Sequence, residues 1–269
     1  MNNTFSFERF GKVLAMDFRN YIRNYGISLI VLCSMPIAWW LLSLIFGAEF
    51  GTTGRGLLMF MIIYIASILA PAKVYGKVNQ PREGVAFAIL PASALEKFLS
   101  MFLYCAILTP AVCFVGGWAI DSLLTLLPFG GFKEFVNMFG INTVFSSLES
   151  VEGGVQLMEI LTPFKLWFSI IAGLLFWIAI FMLGNMIFKK RKVGKTLACY
   201  LGFSYVIGTV FSVIMLNSQG FIKKFENMQD VDELMAVMKP IANWSIVVNF
   251  LLLMLVLYFV YRKIKTQKY

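Results

Sequence analysis

Six stretches of roughly twenty residues, 27–46, 56–75, 98–120, 164–188, 196–216 and 241–261, are built almost entirely from apolar side chains. An α-helix rises about 1.5 Å per residue and the hydrocarbon core of a bilayer is about 30 Å thick, so each run is long enough, or nearly so, to cross it. None carries an acidic residue in its interior. Lys73 stands at the end of the second run, beyond Pro71, where its long stem lets the ammonium reach the interface. Pro36 and Pro110 lie inside runs and read as tolerable kinks of membrane helices. A soluble domain averages about 45–50% apolar and about 25% charged residues; this chain has 59% and 14%. With no linker, low-complexity tract or repeat, the expected fold is all-α, a polytopic membrane protein of one domain over residues 1–269 with six transmembrane helices.

Orientation follows from the positive-inside rule. Of 23 Lys and Arg residues, Arg55, Lys133, Lys165, Lys223, Lys224 and Lys239 fall in one set of connections and the other 17 in the alternate set, which includes both ends. The 14 acidic residues divide four against ten in the opposite sense, leaving about +13 on one side and about −4 on the other. Both termini are expected in the cytoplasm, in a cell inner membrane. The first apolar run begins only near Ile27, after Glu8 and Asp17, which does not suit a cleavable signal.

Residues 6–25 carry a helical pattern of their own. Phe10, Leu14, Phe18, Tyr21, Ile22 and Tyr25 share one face, and Arg9, Lys12, Arg19, Asn20 and Arg23 take the other. A basic amphipathic helix just before a span is expected to lie on the anionic inner leaflet. An ordinary cytoplasmic helix or a partner-binding one remains open. Arg9, Lys12, Arg19 and Arg23, with Lys189, Lys190, Arg191 and Lys192 of the later basic cluster, are the candidate membrane-surface anchors.

The segment between the second and third runs reads "GKVNQPREGVAFAILPASALEK" over 76–97. Pro91 interrupts what precedes it. Ser93 and Glu96 then have the spacing of a capping box, in which the serine oxygen accepts from the Glu96 N–H and the carboxylate accepts from the Ser93 N–H. The cap starts the third membrane helix, and by itself needs no further role. It leaves "NQPREGVAFAIL" unexplained, a polar turn joined to an apolar stretch too short to span. Such a segment is expected to lie against the membrane and present its turn to a partner.

Other chemistry finds little support. Cys33, Cys105, Cys113 and Cys199 lie in apolar runs without C-x-x-C spacing, and the chain has no histidine to join them around a metal. "KKRKVGKT" over 189–196 ends like a phosphate-binding loop, but Lys189 stands where the first glycine is required and no strand precedes it. No histidine base or intramembrane carboxylate pair suggests an enzyme or an ion-driven transporter. In the long connection 121–162, Phe132, Phe135, Val136 and Phe139 have helical spacing and are expected to form an interfacial helix. "NMQDVDELMAVMKP" reads as another short helix, ended by Pro240.

An amphipathic N-terminal helix, six spans with both ends inside and a cytoplasmic segment between spans two and three resemble the permease subunits of type-2 ABC exporters. "LPASALEKFLS" is similar to a stretch of such permeases from Bacteroidetes-like bacteria, through Leu90, Pro91, Ala92, Ser93, Glu96, Lys97 and Phe98. The resemblance implies that residues 6–25 are the elbow helix and that residues 80–88 include a coupling helix seated on a separate ABC ATPase subunit. It implies two permease copies, or one and a paralogue, with ATP and Mg²⁺ bound only by the ATPases. Gln80, Arg82, Glu83, Ser93, Glu96 and Lys97 become the candidates for ATPase contact or positioning. Exported drugs, peptides, lipids and polysaccharides all occur in the family, and nucleic acid is no expected partner. The alternative from another class is a non-transporting membrane scaffold, sensor or assembly factor.

Overall fold

The computed structural model describes residues 5–47, 49–80, 84–136, 163–217 and 231–266. Regular structure among these residues is entirely helical. In chain order it comprises α1 (Phe7–Cys33), α2 (Met35–Phe46), α3 (Thr52–Val74), the short α4 (Gly84–Ile89), α5 (Ala94–Phe102), a π-helical turn (Leu103–Leu108), α6 (Thr109–Thr125), α7 (Pro163–Ile187), α8 (Lys192–Asn217) and α9 (Val231–Thr266). Six helical stretches are long and apolar enough to cross a membrane: Phe7–Phe46, Thr52–Val74, Ala94–Thr125, Trp167–Ile187, Lys192–Val210 and Asn243–Thr266. The chain thus has the helices of a membrane-embedded protein. It divides into two compact units, one of residues 1–139, 177–193 and 256–269, the other of 140–176 and 194–255.

In the first unit, α1 packs on α3, α5 and α6, and α3 lies against α6. The expected boundary between an amphipathic helix over 6–25 and a span over 27–46 is drawn elsewhere. α1 is continuous through Gly26, and the break falls at Ser34. A glycine inside a helix costs only about 1 kcal/mol relative to alanine, whereas Pro36 has no N–H for the carbonyl of Leu32. The buried stripe also differs from the sequence reading. It consists of Val13, Asp17, Tyr21, Tyr25, Leu29, Leu32 and Cys33, spaced mainly at four residues, while Phe18 and Ile22 are exposed. Tertiary packing rotates the helix so that Asp17 points inward.

Proline shapes the third span too. Pro110 cannot donate to the carbonyl of Ala106, and the six residues before Thr109 widen into a π-helical turn. The Thr109 N–H and hydroxyl both reach back to the carbonyl of Tyr104, the hydroxyl at 2.8 Å. By contrast, Pro240 lies inside α9 and does not end a separate short helix.

The end of this unit at the start of α3 is closed by the chain after α6. Residues 131–136 form no helix, contrary to the spacing of Phe132, Phe135 and Val136; Phe139 lies outside the described residues. Phe132 and Val136 are buried, and Phe135 is exposed. The Arg55 guanidinium donates from Nε and Nη2 to the Asp121 carboxylate at 3.1 and 2.8 Å, and from Nη2 to the carbonyl of Glu134 at 2.7 Å. It also lies 4.2 Å from the centroid of the Phe132 ring. Both ion-pair partners are almost wholly buried, at 2% and 1% exposure. Gly130 turns the chain with φ +112°, and an added Cβ would clash with the Trp40 indole nitrogen.

In the second unit, Phe168 packs against Phe164 and Phe250, and Lys165 donates to the Asn243 side chain at 2.9 Å. Leu197, Leu201, Phe203, Tyr205, Val206 and Val213 of α8 are exposed. A helix with apolar side chains on all sides suits a lipid environment.

Candidate functional site

The capping box forms at the start of α5. The Glu96 N–H donates to Ser93 Oγ at 3.2 Å, and the Ser93 N–H donates to Glu96 Oε2 at 2.8 Å. The other carboxylate oxygen does something the sequence did not reveal. Glu96 Oε1 accepts from the Ser6 N–H at 2.8 Å and from Arg9 Nη2 at 3.2 Å. Ser6 is the residue immediately before α1, and its own side chain makes no cap. One fully buried carboxylate therefore serves two helix N-termini, where the unpaired N–H groups and the helix dipole both favour negative charge.

Lys97, the next residue, points to the preceding segment. Its ammonium donates to the carbonyl of Phe87 at 2.6 Å and lies 5.0 Å from the Phe87 ring centroid. Phe87 belongs to α4, so neighbouring side chains on α5 hold α1 on one hand and α4 on the other. Gln80 lies in the turn before α4, its carbonyl accepting from the Gly84 N–H at 2.8 Å. Arg82 and Glu83 lie outside the described residues.

One turn further along α5, Ser100 donates to Asp17 Oδ2 at 2.5 Å, and the hydroxyl of Tyr75 donates to the same oxygen at 2.9 Å. Asp17 from α1 thus gathers α5 and the end of α3. The Tyr75 carbonyl accepts from Asn185 Nδ2 at 3.0 Å, and the Gly76 carbonyl from Lys192 Nζ at 2.5 Å. Lys192 also donates to the Asn185 carbonyl at 3.2 Å. Deeper in the unit, the Tyr21 and Thr109 hydroxyls are 3.1 Å apart, Tyr104 donates to the Leu14 carbonyl and Tyr25 to that of Ala66.

The proposed surface anchors separate accordingly. Lys189, Lys190 and Arg191 are exposed, as are Arg19 and Arg23. Arg9 instead pairs with Glu96, Lys12 pairs with Glu8 on its own helix at 2.6 Å, and Lys192 turns inward to backbone carbonyls. Lys192 is half-buried, with its ammonium shared between the carbonyls of Gly76 and Asn185.

Asp17, Tyr75, Ser100 and Asn185 were not singled out from the sequence. The only available signal was register, since Asp17 lies four residues from both Val13 and Tyr21. Substituting Asp17→Ala removes the shared acceptor of two buried hydroxyls, with an expected cost of about 2–4 kcal/mol. It should lower the thermal unfolding midpoint in detergent, and Asp17→Asn, which keeps an acceptor, should recover part of the loss. An unchanged midpoint in Asp17→Ala would mean that the network does not hold these helices together.

Chemically the arrangement is a set of joints. Carboxylates, hydroxyls and an ammonium are committed to backbone groups or to one another. Among the described residues, no group of three His, Cys, Asp or Glu side chains could hold a metal ion. The chain matches no known protein family, curated protein or solved structure in sequence or fold comparisons.

Proposed function

We propose that the chain is the permease subunit of an ATP-driven exporter in the inner membrane of a bacterium, with both termini cytoplasmic and residues 76–97 meeting a separate ABC ATPase. The observation that carries this reading is the double attachment at Glu96 and Lys97. A short helix outside the long spans is tied to α5, and the same turn of α5 is tied to α1. A push on α4 is therefore opposed by charge-assisted hydrogen bonds to two long helices, which is what a transmission element requires. The charge asymmetry along the sequence supports the cytoplasmic placement of this end.

On this reading ATP and Mg²⁺ bind the partner, and the chain itself catalyses nothing. Two permease copies, or this chain and a paralogue, complete the transporter. ATP-driven closure of the ATPases shifts the segment 76–97 and with it the balance between inward- and outward-open arrangements.

The test is co-purification of the tagged full-length chain from its native membrane in mild detergent. A stoichiometric ATPase, whose hydrolysis rate changes when the permease is present, is expected. Reversing both charges, Arg82→Glu with Glu83→Arg, should leave membrane insertion intact and abolish that association. Association that survives the reversal removes the coupling role from these residues. A chain that repeatedly purifies without an ATPase overturns the exporter reading in favour of a scaffold, sensor or assembly factor.

A further inference from the structure

α1 has two sides with opposite demands. Its inner stripe, Asp17, Tyr21 and Tyr25, is packed into the first unit, whereas Lys12, Arg19 and Arg23 share the opposite side at i, i+7 and i+11. Along that side runs a groove of about 440 Å³ lined by Lys12, Ala15, Met16, Arg19, Asn20 and Arg23.

The inner contacts fix which part of α1 runs beside which part of α3. Asp17 meets Tyr75, and Tyr25 meets Ala66. The eight residue steps from Asp17 to Tyr25 span about 12 Å of helix and run alongside residues 66–75 at the end of α3, which are apolar apart from Ser67, Lys73 and the Tyr75 hydroxyl. Arg19 and Arg23 therefore face outward at a level where the neighbouring helix already has the composition of a membrane span. Phe18 and Ile22, exposed at 47% and 54%, flank them. Exposed apolar rings and chains beside guanidinium groups suit the boundary between lipid headgroups and acyl chains.

The three cations differ in their partners. Lys12 already pairs with Glu8. Arg23 reaches only the Asn20 amide oxygen, at 3.4 Å, and neither Arg19 nor Arg23 pairs with a carboxylate among the described residues. A planar guanidinium pair at this depth calls for an anion that can accept two hydrogen bonds per fork.

We propose that Arg19 and Arg23, with Asn20 beside them, form a docking site for the phosphate of an anionic phospholipid, its acyl chains running along the exposed Ile22, Ile27 and Ile30 toward the end of α1. The site is independent of the exporter reading, because it concerns the lipid neighbour of α1 and not the partner of residues 76–97. It also gives the amphipathic segment a different role from a helix lying flat on the leaflet. Only the two arginines nearest the span engage phosphate.

The probe is phosphatidylglycerol, added to the full-length chain in mild detergent and counted on the protein by native mass spectrometry, with phosphatidylcholine and inorganic phosphate as parallel arms. Wild type should retain phosphatidylglycerol in preference to phosphatidylcholine, and millimolar inorganic phosphate should not displace it. Arg19→Gln with Arg23→Gln should weaken retention on the order of tenfold, while Lys133→Gln, at an exposed lysine outside the groove, leaves it unchanged. Arg19→Lys with Arg23→Lys, keeping charge without the fork, should restore it in part. Because both arginines are exposed, the thermal midpoint without added lipid serves as the check that the Gln variant is folded. Equal retention of both lipids, retention unaffected in the folded Gln variant, or displacement by inorganic phosphate would each overturn the proposal, the last in favour of a free-anion site.

Discussion

Replacing Asp121 with leucine is expected to destabilise the chain by about 3–5 kcal/mol, because it strands the Arg55 charge in a place with almost no access to solvent. The same magnitude is expected for Arg55→Leu, which abandons the Asp121 carboxylate and also removes the donor to the Glu134 carbonyl. In a chain of this length such losses correspond to a fall on the order of 10 °C in the thermal midpoint. The informative variant is the pair. Arg55→Met with Asp121→Leu removes both charges together, and an apolar replacement of a buried ion pair is often nearly neutral. Recovery should be incomplete, since the Glu134 carbonyl stays without its donor and Phe132 loses the cation over its ring. The double variant is expected to be more stable than either single one in a detergent unfolding series. Strict additivity of the two single losses would show that the pair contributes as two independent residues.

Glu96→Ala is expected to release two helix starts at once. It deprives the Ser93 and Ser6 N–H groups and the Arg9 guanidinium of one shared acceptor. An N-terminal cap contributes about 1 kcal/mol and a buried bond to a charged group about 1.5–3 kcal/mol, so a loss of about 2–4 kcal/mol is expected. Location is a sharper readout than size. Hydrogen exchange should accelerate in the first turns of both α1 and α5, although the two lie about ninety residues apart in sequence. Ser93→Ala, which removes only the bond from the Glu96 N–H, should affect α5 alone and cost about 1 kcal/mol. Glu96→Gln keeps an acceptor but loses the charge facing Arg9, and should fall between the two. If exchange at the start of α1 is unchanged in Glu96→Ala, the contact with Ser6 does not stabilise that helix.

These outcomes bear on what "PASALEK" encodes. Ser93 and Glu96 are three residues apart, so their mutual bonding is a local property that the chain carries in any context. The partner of the second carboxylate oxygen is not local. It arrives because the stripe from Val13 to Cys33 packs α1 onto α3, α5 and α6, which brings Ser6 to the far end of that contact. Lys97 and Phe87 are only ten residues apart, but their contact depends on the turn through residues 90–93 folding α4 back toward α5.

The six apolar runs, their lengths and the box at Ser93 and Glu96 were determined by the sequence alone, because hydrophobic length and capping depend on residues within a few turns of one another. Where helices break was only partly legible. Pro36 and Pro110 act through a missing N–H that any reader of the chain can locate, yet one yields a break at Ser34 and the other a π-helical turn, and Gly26 and Pro240 interrupt nothing. The long-range polar contacts of the first unit belong to the tertiary structure. Asp17 with Tyr75 and Ser100, Arg55 with Asp121, and Glu96 with Ser6 join residues separated by 58 to 90 positions. A buried charge must find its partner wherever packing brings one, and sequence distance says nothing of where that will be.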